Sequence, residues 1–212
     1  MIGILTNHWS EFLLGFWNTI LCSLIALFFS LILGVGFALL EVAPNKFGRA
    51  VAHVYIEIFR NIPLLVITMI FYLVVPQIWF KVSGFAAGTI GLTLYTSAFI
   101  AETVRAGINS VGDGQMEGAR SNGMTYMQAM YHVIIPQALN KMIPSLLSQF
   151  VSLVKDTSLA TIIVLPELLF HAQIIYSQNT TYLIPMYVII AIMYFIVCFS
   201  LSMIAKHLQS KY

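Results

Sequence analysis

Charge-free apolar runs alternate with short polar stretches along this chain. Residues 12–40 contain no Asp, Glu, Lys, Arg or His, and the same character returns over 61–80 and 82–101. A helix that crosses a bilayer needs roughly 20 such residues, so each run predicts a span. A fourth run is interrupted: 142–154 is uncharged, Lys155 and Asp156 intrude, and apolar residues resume to 165. A fifth runs over about 183–204. The longest polar stretch, 105–143, carries turn signals at Asp113-Gly114 and Gly123, with Pro136 and Pro144 punctuating its end. Within it, 115–121 and 125–135 read as short helices.

Composition agrees with the pattern. Only 8% of the 212 residues are charged and 59% are hydrophobic, against roughly 25% charged in a soluble domain. A soluble fold could not cover its surface with so few charges. The expected fold is all-α, with five transmembrane helices in one membrane domain over 1–212. Its core is expected at about 12–206 and its cytoplasmic loop at about 106–143. Lys and Arg concentrate in cytoplasmic loops. Here Lys46 and Arg49 follow the first run, Arg105, Arg120 and Lys141 follow the third, and Lys206 and Lys211 follow the fifth. The opposite side holds only Lys81. That bias places the N-terminus outside and the C-terminus in the cytoplasm. The first 20 residues lack a basic start and a small-residue cleavage site, so the first run is expected to be retained.

Several chemistries are missing. No GxxxxGK[ST] phosphate loop, HExxH, paired CxxC or GxSxG elbow occurs. The chain is therefore read as no enzyme, with no metal, no cofactor of its own and no nucleic-acid partner. Cys22 and Cys198 lie far apart in apolar runs and read as small buried hydrophobes. His8, His53, His132, His171 and His207 are scattered and read as loop or interfacial residues. Asn179-Thr180-Thr181 matches a glycosylation sequon by chance. Gly34, Gly36, Gly84 and Gly88 are expected to let helices approach closely.

Lys155 and Asp156 stand apart. Counted from Pro144 at 1.5 Å per residue they lie roughly 16 Å into their run, near the middle of a hydrocarbon layer about 30 Å thick. An ionisable group at that depth costs on the order of 3 kcal/mol and marks a pathway or a partner. Either they meet a zwitterionic solute, with Thr157 and Ser158 adding neutral hydrogen bonds, or they form a structural ion pair. Glu57 with Arg60, and Glu102 with Arg105, are i,i+3 pairs on one helix face. They read as pairs that neutralise themselves at the interface, or as an inner gate.

The long polar stretch reads Glu117-Gly118-Ala119, then three residues, Gly123, nine residues and Val133-Ile134-Ile135-Pro136. This resembles the EAA loop of binding-protein-dependent ABC importer permeases, with Gly118 in place of the first alanine. Three more segments narrow the resemblance to permeases for polar amino acids: Glu57 to Leu65, Ala101 to Gly107, and Leu153 to Leu159. Asn61-Ile62 departs from the usual pair before Pro63. The resemblance implies a type I importer permease in the bacterial plasma membrane, taking up polar amino acids such as glutamine, glutamate or basic ones. It implies a second, identical or different permease subunit, ATPase subunits that hold the ATP, and an extracellular or periplasmic solute-binding protein. It assigns ATPase coupling to Glu117, Gly118, Ala119, Gly123 and Pro136, in a helix whose start favours Glu117. The apolar-aromatic segment 166–182 would meet the binding protein. The competing readings are a self-contained secondary transporter or channel, which usually needs more spans or a repeat, and a membrane anchoring protein.

Overall fold

The computed structural model describes residues 2–209, and among these every regular element is helical. A short α1 (Ile2–Asn7) leads into α2 (Trp9–Val42), whose 34 residues span about 50 Å. That exceeds the hydrocarbon layer, so α2 reaches beyond it. After α3 (Lys46–Asn61), α4 (Leu64–Met69), a π turn (Ile70–Val74) and α5 (Val75–Ile78) form one rod. Then come α6 (Gly84–Asn109), α7 (Asp113–Ser121), α8 (Tyr126–Ala129), a π turn (Met130–Ile134) and α9 (Ile135–Asp156). A 3-10 segment (Thr157–Ile163), α10 (Leu168–Gln178), a 3-10 turn (Thr180–Tyr182) and α11 (Leu183–Gln209) complete the described chain.

Helix α6 is the buried centre, and α2 packs along it. Small residues make that approach possible. A Cβ on Gly34 would lie 2.6 Å from Ile100 Cγ2 and 2.7 Å from Ser97 O, and the Ser30 hydroxyl donates to Thr93 O at 3.0 Å. Gly84 and Gly88 are equally tight against residues 160–165. Gly36, expected to do the same, faces open space, with nothing within 4 Å of a Cβ there. Cys22 is buried and Cys198 partly so, both as free thiols. Asn179 uses its carboxamide oxygen to cap the Thr180–Tyr182 turn, accepting from Thr181 N at 3.1 Å.

The second run needs the largest correction. Among the described residues four helices are long and apolar enough to cross a membrane, with a fifth crossing if α3 and the α4–α5 rod count as one span bent by 101°. The break sits at Ile62-Pro63, because proline removes a donor and pushes its predecessor out of the α region. Lys46 and Arg49, assigned to a loop, instead open the 16-residue α3. Pro76, Pro136 and Pro144 do not end helices. Pro76 and Pro136 each follow a π turn that contains the residue four earlier, Tyr72 and His132. The wider turn gives room where a proline ring would strike that carbonyl. Pro144 lies inside α9. The polar stretch is therefore mostly helix, with non-helical breaks only at 110–112 and 122–125.

Candidate functional site: coupling helix, charge network and polar face

The segment expected to couple to an ATPase is built by local rules. Gly123 takes φ +85, and the turn then closes with Gly123 N–H on Arg120 O at 3.0 Å and Met124 N–H on Ala119 O at 3.2 Å. Those two bonds are the Schellman ending of a helix, which favours glycine at the left-handed position. Thr125 and Gln128 form a reciprocal capping box that starts α8 at once. The helix start belongs to Asp113, which sits in the first turn of α7 and complements the macrodipole. Glu117 lies a turn further on, exposed, so the expected dipole role passes to Asp113. Gly118 is also exposed and Ala119 is turned inward. Three contacts tie the segment to the bundle: Tyr126 Oη donates to Val42 O at 3.1 Å, Lys141 Nζ to Ser110 O at 2.7 Å, and Gln137 Nε2 to Gln115 Oε1 at 3.2 Å. The first joins the start of α8 to the end of α2, the second joins α9 to the end of α6, and the third joins α7 to α9. Beside Gly123 an open cleft of about 260 Å³ is lined by Asn122, Met124, Gln128 and His132. Pro136 is exposed at the start of α9.

The two charge pairs are not separate. Arg105 clasps Glu102 at 2.6 Å through Nη2, Arg60 reaches Glu102 at 3.5 Å and Glu57 at 3.9 Å, and Arg105 Nε lies 3.6 Å from Glu41. His53 adds a contact to Glu41 at 3.3 Å. One network therefore joins α2, α3 and α6, in place of two self-neutralised pairs.

Lys155 and Asp156 end α9, where the α-helix tightens to 3-10. Lys155 is exposed and Asp156 partly so. Neither has an oppositely charged group within 4 Å among the described residues. Lys155 crowns a stripe of Ser145, Ser148 and Ser152 that, with Ser202 and Lys206 of α11, lines a cleft of about 450 Å³. Asp156 lies within electrostatic reach of Tyr95 on α6. Thr157 is fully buried. Its hydroxyl donates to Val154 O at 2.8 Å, as that of Ser158 does to Lys155 O at 2.7 Å. Their oxygens remain acceptors, while their protons serve the helix.

Glu41 of the charge network and Glu167 both escaped the sequence reading. Glu167 is fully buried. It caps α10 by accepting from Leu169 N at 2.8 Å and Phe170 N at 2.7 Å. It also accepts from Tyr194 Oη at 2.7 Å and from the Thr161 hydroxyl. Burial pushes its carboxyl above the usual range, while hydrogen bonds from Thr161 and Tyr194 and from the two backbone amides pull the other way. The signal was available: an acid after proline, directly before an apolar helical run. Segment 166–182 is also less free than expected, since Leu168, Ala172 and Ile175 are buried.

This chain carries a family pattern from end to end. The family of binding-protein-dependent transport system inner membrane components matches residues 9–212. The chain belongs to that family, and so is an inner-membrane transport component. The probable glutamine ABC transporter permease GlnM of Bacillus subtilis (strain 168) is 42% identical over 210 residues, covering 99% of this chain and 97% of that protein. The probable glutamine permease GlnP of the same organism is 39% identical, over 95% and 91%. A crystal structure of an amino acid ABC transporter with histidines superposes with a TM-score of 0.92 at 33% identity, covering 98% of this chain and 97% of that one. An inward-facing MetNI methionine ABC transporter has a TM-score of 0.75 at 21% identity, covering 95% and 98%, and shares the fold.

Proposed function

We propose that this chain is the permease subunit of an ABC importer for polar amino acids, with glutamine the first substrate to test. The observation that carries this reading is a polar α9 face leading to Lys155, with Asp156 beside it, in a chain alike from end to end to amino-acid permeases. A second permease subunit completes the pathway, ATPase subunits dock on α7 and hydrolyse the ATP, and a solute-binding protein delivers substrate outside. The chain works as one membrane domain over residues 1–212 and holds no cofactor of its own. Glutamine-stimulated ATP hydrolysis by the assembled complex tests the reading; transport by this chain without an ATPase would favour a self-contained carrier instead.

The span count follows from the same reading. Counting α3 to α5 as one bent crossing makes five, with the N-terminus outside. Contacts support the orientation, since Val42 meets Tyr126, Glu41 meets Arg105 and Ser110 meets Lys141 at one Lys/Arg-rich end. A reporter fused after Tyr212 should be cytoplasmic, and one inserted within residues 177–182 external. The reverse pattern would put α7 on the wrong side for an ATPase.

Among the described residues neither Lys155 nor Asp156 has an opposite charge within 4 Å, which supports a role toward the amino acid's carboxylate and ammonium. Asp156→Asn should weaken the dependence of ATP hydrolysis on substrate about tenfold or more, the loss expected when a charge-assisted bond worth about 1.5–3 kcal/mol is removed. Basal hydrolysis and assembly should survive, and Lys155→Met should behave alike. Loss of assembly with unchanged affinity in the remainder would mean an ion pair across the subunit interface.

A further inference from the structure

Helix α3 has three faces. Ala52 and Ile56 are buried against α2 and α6, where the Tyr55 ring stacks on Phe37 at 3.9 Å and its hydroxyl meets Ser97 at 2.7 Å. Phe47, Val51, Val54 and Ile58 form a second face at i, i+4, i+7 and i+11, and are 78%, 46%, 56% and 46% exposed. On the third face a cleft of about 450 Å³ is lined by Glu41, Lys46, Arg49, His53, Arg105 and Asn109. Its charges do not balance. Glu41, the one acid there, faces Arg105 and His53. Lys46 and Arg49 have no carboxylate within 4 Å among the described residues, and Arg49 is oriented by donating to Ala43 O at 2.9 Å.

We propose that this cleft binds the phosphate headgroup of an anionic phospholipid, with the lipid's acyl chains along the Phe47–Ile58 stripe. Two observations select that occupant. The uncompensated cations ask for an anion, and the adjoining stripe asks for hydrocarbon. A phospholipid joins both in one molecule, at the Lys/Arg-rich end of the bundle where headgroup and hydrocarbon meet. Lys46, Arg49 and the Phe47–Ile58 stripe take no part in the charge network or in the α9 polar face, so the lipid site is tested separately from the transport assignment. Anionic headgroups attract each juxtamembrane cation by an amount equal to roughly a fivefold enrichment.

The test uses the full chain carrying Phe47→Trp, reconstituted in phosphatidylcholine vesicles. They are doped with equal fractions of brominated phosphatidylglycerol or brominated phosphatidylcholine. Quenching is read over the background of the three native tryptophans. Phosphatidylglycerol should occupy the site in preference to phosphatidylcholine by roughly twenty-fivefold, two cations at about fivefold each, and quench correspondingly more. Lys46→Gln should reduce that preference about fivefold, and Lys46→Gln with Arg49→Gln should bring the two lipids to parity. Arg49→Lys, which keeps the charge but alters the Ala43 contact, should retain it. Equal quenching by both lipids, or a preference that survives the double variant, overturns the proposal. So does loss of the preference in millimolar inorganic phosphate, which would make this a free-anion site. Loss on adding the ATPase subunits would give the cleft to that partner and overturn it too. An absence of glutamine-stimulated hydrolysis would leave the lipid result standing, so the two readings fail separately.

Discussion

Replacing Gly118 by leucine is expected to abolish transport while leaving the permease folded and inserted. A Cβ at Gly118 meets nothing within 4 Å, and the residue lies exposed in the middle of α7. Leucine should even strengthen the helix, by about 0.5–1 kcal/mol from propensity alone. Any loss must therefore arise where another molecule approaches. Gly123→Leu should also block coupling, but less cleanly. Its φ of +85 would cost an L-residue about 1–2 kcal/mol and loosen the Schellman ending. Glu117→Lys reverses an exposed charge one turn before that ending and should weaken docking without either complication. The measurements are co-elution of the ATPase subunits and substrate-stimulated hydrolysis in the reconstituted complex. Both should fall by at least about tenfold for Gly118→Leu, the factor set by about 1.4 kcal/mol of lost docking energy, with an unchanged melting temperature of the permease. Parental transport by Gly118→Leu would show that α7 is not the docking element.

This contrast between Gly118 and Gly123 also explains what was readable in advance. The coupling segment is specified by neighbours in sequence: a left-handed glycine, a capping box and an acidic first turn act over five residues or fewer. Such features survive without knowledge of the fold. The spans at α2, α6 and α11 were legible because bilayer burial excludes charge over twenty residues at a time. Helix α3 was not, since its charges fall on one face of an amphipathic helix and broke the run that a charge count seeks. Prolines misled in the other direction, because π turns at 70–74 and 130–134 absorb Pro76 and Pro136 without ending the rod. Pairings across the bundle were beyond reach altogether. Nothing near Arg60 in sequence announces Glu102, yet the Arg60–Glu102 contact turns two local pairs into a network that ties α3 to α6. Lys155 and Asp156 were noticed for their charge, but only the fold shows that neither has an opposite charge within 4 Å among the described residues.

Glu167→Ala is expected to be the most destabilising single change in the outer half of the bundle. The carboxylate gathers four donors from three elements: Thr161 of the 3-10 segment, Leu169 and Phe170 amides of α10, and Tyr194 of α11. Two further bonds close the same junction onto α2: Leu168 N–H on Thr19 Oγ1 at 3.1 Å, and Asn18 Nδ2 on Pro166 O at 2.8 Å. The connection it secures is under strain, for Val164 adopts φ 61, a left-handed conformation that costs a residue of this kind roughly 1–2 kcal/mol. Space is also committed, because a Cβ on Gly84 would fall 2.3 Å from Ile163 O, so the segment cannot settle inward to replace the lost bonds. Removing the carboxylate takes the acceptor from the buried Thr161 hydroxyl and from three half-buried donors, the Tyr194 hydroxyl and the Leu169 and Phe170 amides. Each unpaired buried donor costs about 1–3 kcal/mol, so a loss of roughly 4 kcal/mol follows even if some donors find new partners. Glu167→Gln keeps the size and one acceptor oxygen but turns an amide NH₂ toward donors, and should lose about half as much. Because Thr161 belongs to the 3-10 segment that begins at Thr157, the alanine variant should also weaken substrate affinity at the proposed Lys155–Asp156 site, in whatever fraction still assembles. Thermal unfolding of the detergent-purified complex, followed by limited proteolysis across residues 160–170, separates the cases. An alanine variant that melts with the parent, uncut in this segment, would mean that the junction is held by apolar packing of Leu168, Ala172 and Ile175 instead.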